Sequence, residues 1–305
     1  MTEAQHSDPP NTVPGQVDRR PEHVIGPFEC FGRGFIIRTP DADLAGFLDE
    51  LYSPVRSRRA SHDVVTFTLE PPNADALGRL FSDRGLTRRS PRHGHLLRTL
   101  VWAINRHVID EPSEDRLILH AAAAARDGRG VLLPARTRSG KTTLVAALLD
   151  RGFAYLTDEA ASVDADLMIE GFPKPLSVER GSFEALAHYE PRTSGPVSRY
   201  LQSHWEVPVE SFAAVVRRSR LSMIVFPRYG PSETLRFEPL EPAATVANVF
   251  TNIFLTAGRI APHGMVTEVA RIAEQIPAFA VTYSDLGAAC QAISIELDRR
   301  APDGS

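Results

Sequence analysis

Hydrophobic and polar positions change period several times along the chain, and the changes predict a succession of strands and helices. Residues 1–26 carry Pro9, Pro10, Pro14 and Pro21 among polar side chains with no apolar period, which predicts a disordered lead-in. From Phe28 the apolar positions become regular. Phe35-Ile36-Ile37 reads as a strand. Asp41 then caps a helix reaching Tyr52, because Leu44, Phe47, Leu48 and Leu51 fall on one face. Val64–Leu69 alternates as a second strand. An arginine-rich stretch, Arg84 to Arg98, leads into an apolar helix from near Leu97 to Ile109, which Glu111-Pro112-Ser113 breaks. The pattern predicts a small α/β N-terminal domain over 27–111.

The remainder, 112–299, alternates strands and helices as a layered α/β domain does, with 300–305 as a tail. Arg116–Ala124 and Gly130–Leu133 read as strands joined by an Asp127-Gly128 hairpin turn. A helix over Thr142–Arg151, a strand over Phe153–Thr157, a hairpin over Ser162–Gly171 and a short helix over Ser182–Tyr189 follow. Residues 190–210, with Pro191, Gly195, Pro196 and Pro208, read as a loop, a candidate mobile segment at the active site. Strands at Leu221–Phe226 and Thr234–Leu240, helices at 243–256 and 265–275, a strand at 278–283 and a helix at 285–298 complete the pattern.

Composition narrows the function. Apolar residues make up 43% and charged ones 24%, the mix of a soluble globular chain. A net charge of −4 argues against a general nucleic-acid grip. Cys30 and Cys290 are too few for a disulfide framework or a structural zinc site. No apolar run is long enough to span a membrane, and the polar stretch Met1 to Arg20 does not read as a signal peptide, so a cytoplasmic location is expected. Of 34 basic residues only Lys141 and Lys174 are lysine. A skew of that size points to coding bias, under which lysine persists where a compact ammonium is needed.

Lys141 lies in the clearest motif. Ala135-Arg136-Thr137-Arg138-Ser139-Gly140-Lys141-Thr142, followed by Thr143, fits a phosphate loop between a strand and a helix, with Ala in place of the first Gly. Backbone N–H groups and the helix N-terminus would cradle phosphates, Lys141 would bridge the β- and γ-phosphates, and Thr142 would hold Mg²⁺. Arg138 stands where a further Gly is common, so it either contacts phosphate or weakens the loop. Asp158-Glu159 ends the next strand, on the side where helix N-termini sit, so one carboxylate would bind Mg²⁺ while the other takes a proton from a hydroxyl.

Hairpin arithmetic places a further candidate. With Asp127-Gly128 at the turn, paired positions sum to 255 and His120 lies opposite Ala135, at the mouth of the loop. Lys174, in Phe172-Pro173-Lys174-Pro175, reads equally as a surface lysine or as a rigidly presented contact to the transferred phosphate. Arg228 ends another strand and is a candidate for neutralising transition-state charge, one among 32 arginines.

Together these residues resemble the HPr kinase/phosphorylase C-terminal domain, more narrowly the bacterial HPr-kinase-related proteins. Leu119-His120-Ala121-Ala122, Val131-Leu132-Leu133-Pro134, Ser139-Gly140-Lys141-Thr142, Arg151-Gly152-Phe153 and Thr157-Asp158-Glu159 carry the likeness, over roughly 113–298. So do Phe172–Ser177, Val225–Tyr229, Pro277-Ala278-Phe279 and Tyr283-Ser284-Asp285. The resemblance implies an α/β kinase domain of the HPr kinase/phosphoenolpyruvate carboxykinase type beside the smaller N-terminal α/β domain, with ATP and Mg²⁺. It implies Asp158 as catalytic acid/base, Glu159 as the second acidic residue near the metal and His120 as the histidine beside the loop. Glu159 stands where the family has a second Asp, and the segment that binds HPr is not evident.

The expected activity is transfer of the γ-phosphoryl group of ATP to a hydroxyl, Ser or Thr of a peptide or protein, a natural-product precursor peptide among the candidates. Two alternatives stay open: a nucleotide-binding regulatory protein that has lost transfer, and a kinase of a small hydroxyl compound such as serine. Homo-oligomerisation is left open; nucleic acid and membrane are not expected partners.

Overall fold

A computed structural model of the chain describes residues 22–58, 63–110, 117–136, 139–193, 195–254 and 262–300. The boundary expected at 111–112, the loop residues Thr137 and Arg138, and most of the expected tail lie outside the described residues.

The architecture is mixed α/β, built on two large sheets and a two-stranded ribbon. Strands β1 (His23–Cys30), β2 (Arg33–Thr39), β3 (Val64–Glu70), β4 (Gly78–Ser82) and β5 (Thr87–Ser90) form the first sheet in sequence order. Helices α1 (Ala42–Tyr52) and α2 (His93–Asp110) accompany it. Asp41 caps α1 by accepting the Leu44 N–H at 2.9 Å, and Leu44, Phe47, Leu48 and Leu51 are buried along one stripe, as the spacing predicts.

The second sheet runs β10 (Met168–Gly171), β9 (Ala160–Val163), β6 (Ile118–Arg126), β7 (Arg129–Pro134), β13 (Arg218–Tyr229), β15 (Ala278–Tyr283) and β14 (Arg236–Leu240), with β8 (Ala154–Thr157) also on β6. Because β10 pairs with β9 and with the start of β13, the path closes on itself at that end. Helices α3 (Lys141–Leu149) and α6 (Leu286–Arg299) cover one face; α4 (Pro242–Phe250) and α5 (Pro262–Gln275) cover the other. The alanine run of β6 serves both. Ala122 and Ala124 pack towards α3 and α6, Ala121 and Ala123 towards α4 and α5. Side chains that small let helices approach closely on both sides.

Between the sheets lies β11 (Leu176–Glu179) paired antiparallel with β12 (His204–Val207). One apolar core runs from Phe28, Phe35 and Leu48 through Leu176, Trp205 and Val207 to Leu144 and Leu148. Polar contacts stitch the same junction: Ser53 donates to Glu210 at 2.7 Å and Arg217 to the Glu29 carbonyl at 3.1 Å.

Five expectations need correction. The helix expected at 243–256 ends at Phe250, and Ile253 instead bridges Leu119 of β6. The lead-in expected over 1–26 overlaps β1, which starts at His23; its pairing with β2 is irregular between Ile25 and Phe28, where Gly26 takes φ +109°. The arginine-rich stretch holds strand β5, and α2 starts at His93 rather than near Leu97. The helix expected over Ser182–Tyr189 is two separate 3-10 turns, Arg180–Ser182 and Ala187–Tyr189. Finally, 190–210 is no open loop. It carries a 3-10 segment, Gly195–Tyr200, and strand β12, whose four residues are all buried.

Candidate functional site

The strand directions bring the chemistry to one edge. Strands β13 and β15 run parallel to β7, and β8 runs antiparallel to β6, which is itself antiparallel to β7. The C-terminal ends of β7, β8, β13 and β15 therefore lie on the same side, where α3 presents its N-terminus. Gly140 is the N-cap of α3 with φ +89°, a conformation that only glycine adopts without strain. A methyl group added there would also meet the Tyr283 hydroxyl at 3.2 Å and Tyr229 Cβ at 3.5 Å.

The hairpin register is the one the turn predicts. Asp127 and Gly128 have φ of +52° and +71°, and Ala121 faces Pro134. One step further, the Ala135 N–H points to the His120 carbonyl at 3.4 Å. His120 lies on the α3 face of β6, and its Nε2 is 3.2 Å from Lys141 Nζ and 3.7 Å from Glu159 Oε1. Burial, and then the Lys141 ammonium, push the imidazole down to about 4, so it is neutral near pH 7 and accepts from Lys141.

Lys141 is buried and turned onto its own loop, donating to the carbonyls of Ala135 at 2.6 Å and Arg136 at 3.1 Å. Burial lowers it to about 8, against the pull of Glu159 and Asp158. Ser139 Oγ is buried with no partner. Thr142 Oγ1 donates to Asp158 Oδ2 at 3.1 Å, whereas Thr143 Oγ1 faces Ser182 Oγ at 3.0 Å, away from the loop.

Asp158 and Lys174 form the centre of the site. They are 4% and 1% exposed, and Lys174 Nζ lies 2.7 Å from Asp158 Oδ1. The same oxygen accepts the Tyr155 hydroxyl at 2.9 Å. Lys174 also donates to the Pro175 carbonyl at 3.0 Å and to Ser177 Oγ at 3.1 Å, and Ser177 donates to Glu206 Oε2 at 2.7 Å. Burial opposes the Lys174 charge, but Asp158, Glu159 and Glu206 outweigh it and the ammonium is raised above its usual value. Burial pushes Glu206 up to about 7, against the pull of Lys174. Burial also raises Glu159, with Lys174 pulling the other way. Lys174 is thus a buried ion-pair partner and not a surface lysine.

The fold brings His120, Lys141, Thr142, Asp158, Glu159 and Lys174 together. Arg228 is not among them: it is exposed and faces Glu233 at 3.2 Å. The residues that sequence reasoning missed are Ser177, Glu206 and Tyr155. Tyr155 carried a signal, sitting three residues before Asp158 in a recognised strand; Glu206 carried none, buried in a four-residue strand inside an apparent loop.

No family model and no curated protein matches the chain. Among solved structures it is similar to the Hpr(Ser) kinase/phosphatase from Coxiella burnetii, at 13% identity and a TM-score of 0.31, covering 60% of this chain and 95% of that one. A likeness at that level assigns neither family membership nor activity. Among the described residues no helix is long and apolar enough to cross a membrane.

Proposed function

We propose that the chain is an ATP- and Mg²⁺-dependent phosphotransferase acting on a hydroxyl, Ser or Thr of a peptide or protein. One observation carries this reading. Thr142, in the first turn after the phosphate loop, bonds the carboxylate of Asp158 at 3.1 Å, and Lys174 grips the other oxygen of that carboxylate.

The residues present fit a magnesium nucleotide. Gly140 opens the N-terminus of α3, Ser139 Oγ is an orphaned donor beside it, and an ammonium lies within the loop. Among the described residues no three His, Cys, Asp or Glu side chains are grouped to hold a metal alone. Mg²⁺ characteristically takes one or two carboxylates together with phosphate oxygens and water, so Thr142 and Glu159 would hold it, which leaves Asp158 for the acceptor hydroxyl. When bound, Mg·ATP supplies the phosphoryl group and neutralises its charge.

The chain's own residues have distinct tasks in this reading. Lys141 and the loop amides bind the phosphates, and neutral His120 keeps the ammonium at the loop. Asp158 Oδ1 is occupied by Lys174 and Tyr155, and Oδ2, which accepts from Thr142, is left to take the proton of the acceptor hydroxyl. Lys174 fixes the direction in which that oxygen faces. Burial of Asp158 and Lys141 keeps bulk water from competing for the phosphoryl group.

Transfer of labelled γ-phosphate from Mg·ATP into a fractionated host extract tests the reading. Asp158→Asn should lose transfer by roughly 10²–10⁴-fold, the size of a general-base contribution, while still binding ATP. Turnover retained in Asp158→Asn would sink it. The mass of the labelled product separates a peptide from a small hydroxyl compound. A second reading, a nucleotide-binding regulator without transfer, is favoured by the internal satisfaction of the site, since Lys141 spends its protons on Ala135, Arg136 and His120. ATP binding by the wild type with no labelled species would select it.

A further inference from the structure

A second concave site lies away from the phosphate loop. At the start of α2 a cavity of about 620 Å³ opens towards the 3-10 segments that hold Arg180 and Arg199. Its wall carries Arg92, Arg180, Arg199, His93, His95 and Ser203, and among the described residues no aspartate or glutamate lines it.

Many guanidinium groups of this molecule find carboxylates, as Arg79 does with Glu70, Arg126 with Asp298 and Arg271 with Glu268, and others, such as Arg88, Arg89 and Arg220, stand singly exposed; here three share one concave wall. Among the described residues the guanidinium groups of Arg92, Arg180 and Arg199 have neither an ion pair nor a hydrogen bond. Gathering three unneutralised charges on one concave wall gains nothing for the fold. The field is felt locally: burial, and then Arg199, lower His93 against the weaker pull of Asp41, and the charge and the neutral donors of the wall both suit an anion.

The wall is also preformed. A methyl group at Gly94 would meet the Tyr200 carbonyl at 3.1 Å and Ser203 Oγ at 3.2 Å, and the Tyr200 ring stands edge-on to His93 at 4.9 Å. The volume falls within the roughly 300–1,000 Å³ of small-molecule sites. Guanidinium forks match phosphate and carboxylate alike. Ser203 sits 3.1 Å from His204 Nδ1, and His204 Nε2 lies 3.6 Å from Glu206 Oε1, so this wall and the buried charge cluster share β12.

We propose that this cavity binds a small ligand bearing two or more phosphate or carboxylate groups, at a site separate from the phosphate loop. The site does not depend on phosphotransfer. Citrate and inorganic pyrophosphate are the probes, titrated calorimetrically into the full chain. At least one should bind saturably, and the one that binds identifies the preferred anionic group. Arg180→Ala and Arg199→Ala should each weaken that binding by about tenfold or more, the loss expected for a charge-assisted contact. Lys141→Ala should leave citrate binding, or the arginine-sensitive part of pyrophosphate binding, unchanged. In the wild type, the ring signals of His93 and His95 should shift saturably with the probe, while those of His188, exposed and 3.1 Å from Asp150, stay fixed. Three results would overturn the proposal: no saturable binding of either probe, binding indifferent to both arginine substitutions, or histidine ring signals that do not respond.

Discussion

The two cationic regions of this molecule treat their charges in opposite ways. Lys141 and Lys174, all the lysine the chain has, are buried and engaged, the first on loop carbonyls, the second on Asp158. Arg92, Arg180 and Arg199 line an open cavity, and among the described residues their guanidinium groups have no ion pair or hydrogen bond. A buried charge must be paired or its desolvation goes unrecovered, so each lysine is part of the fold's stability as well as of any chemistry. A solvated guanidinium contributes little to folding, which leaves it free to serve binding alone. Stability and function should therefore separate at the cavity and coincide at the edge that holds Lys141, Asp158 and Lys174.

The largest test of that contrast is Lys174→Ala. It leaves Asp158 and Glu206 buried beside one another without their shared cation, and should cost about 3–5 kcal/mol in denaturant unfolding, the range for breaking one side of a buried pair. Adding Glu206→Gln to that variant should recover part of the loss. A Lys174→Ala protein as stable as the wild type would mean the cluster is hydrated and the contrast false.

Next in size is the loop itself. Gly140→Ala forces a side chain into φ +89° and against Tyr283, and should cost about 1–2 kcal/mol, read as a fall in thermal midpoint together with weaker nucleotide binding. Lys141 adds a pH dependence. With its ammonium at about 8, the affinity for Mg·ATP should hold at pH 7 and fall as pH rises past 8.

Stability against pH should show two opposed contributions. Glu206 is raised from 4.5 to about 7, so the folded state binds the extra proton; the stability it contributes is present below pH 4.5 and is lost as pH rises towards 7. His120 is lowered from 6.5 to about 4, so its contribution is present above pH 6.5 and lost as pH falls towards 4. Glu206→Gln should abolish the first slope and His120→Asn the second, each measured as the difference from wild type across pH 4–7. The smallest effect belongs to the cavity: Arg180→Ala should change unfolding stability by no more than about 0.5 kcal/mol, as exposed substitutions do.

Legibility followed range. The cap of α1, the Asp127-Gly128 turn, the strand and helix that flank residues 135–140, and the hairpin over Ser162–Gly171 all rest on residues a few positions apart, and all are found. Pairing across a tight turn also carried His120 to the loop's mouth, because a two-residue turn admits one register. Irregularity defeated the same reasoning. The irregular pairing between Ile25 and Phe28 breaks the period of β1, and the prolines around β12 concealed a strand that pairs with β11 across 24 intervening residues. Glu206 was hidden with β12. Lys174 could be singled out by its rarity, but not as a surface residue or a buried one.

By itself, then, the sequence determined the mixed α/β pattern, the strand and helix on either side of the segment that holds Lys141, and the edge at which Asp158 would emerge, since turns, caps and strand periods are local steric facts. Tertiary structure alone decided which charges are buried. Whether Lys174 meets water or Asp158, whether Glu206 is exposed or holds Ser177, and whether Arg228 joins the site or Glu233 depend on which strands lie side by side. Desolvation and pairing act through space between residues that the chain keeps far apart, and no period along the sequence records them.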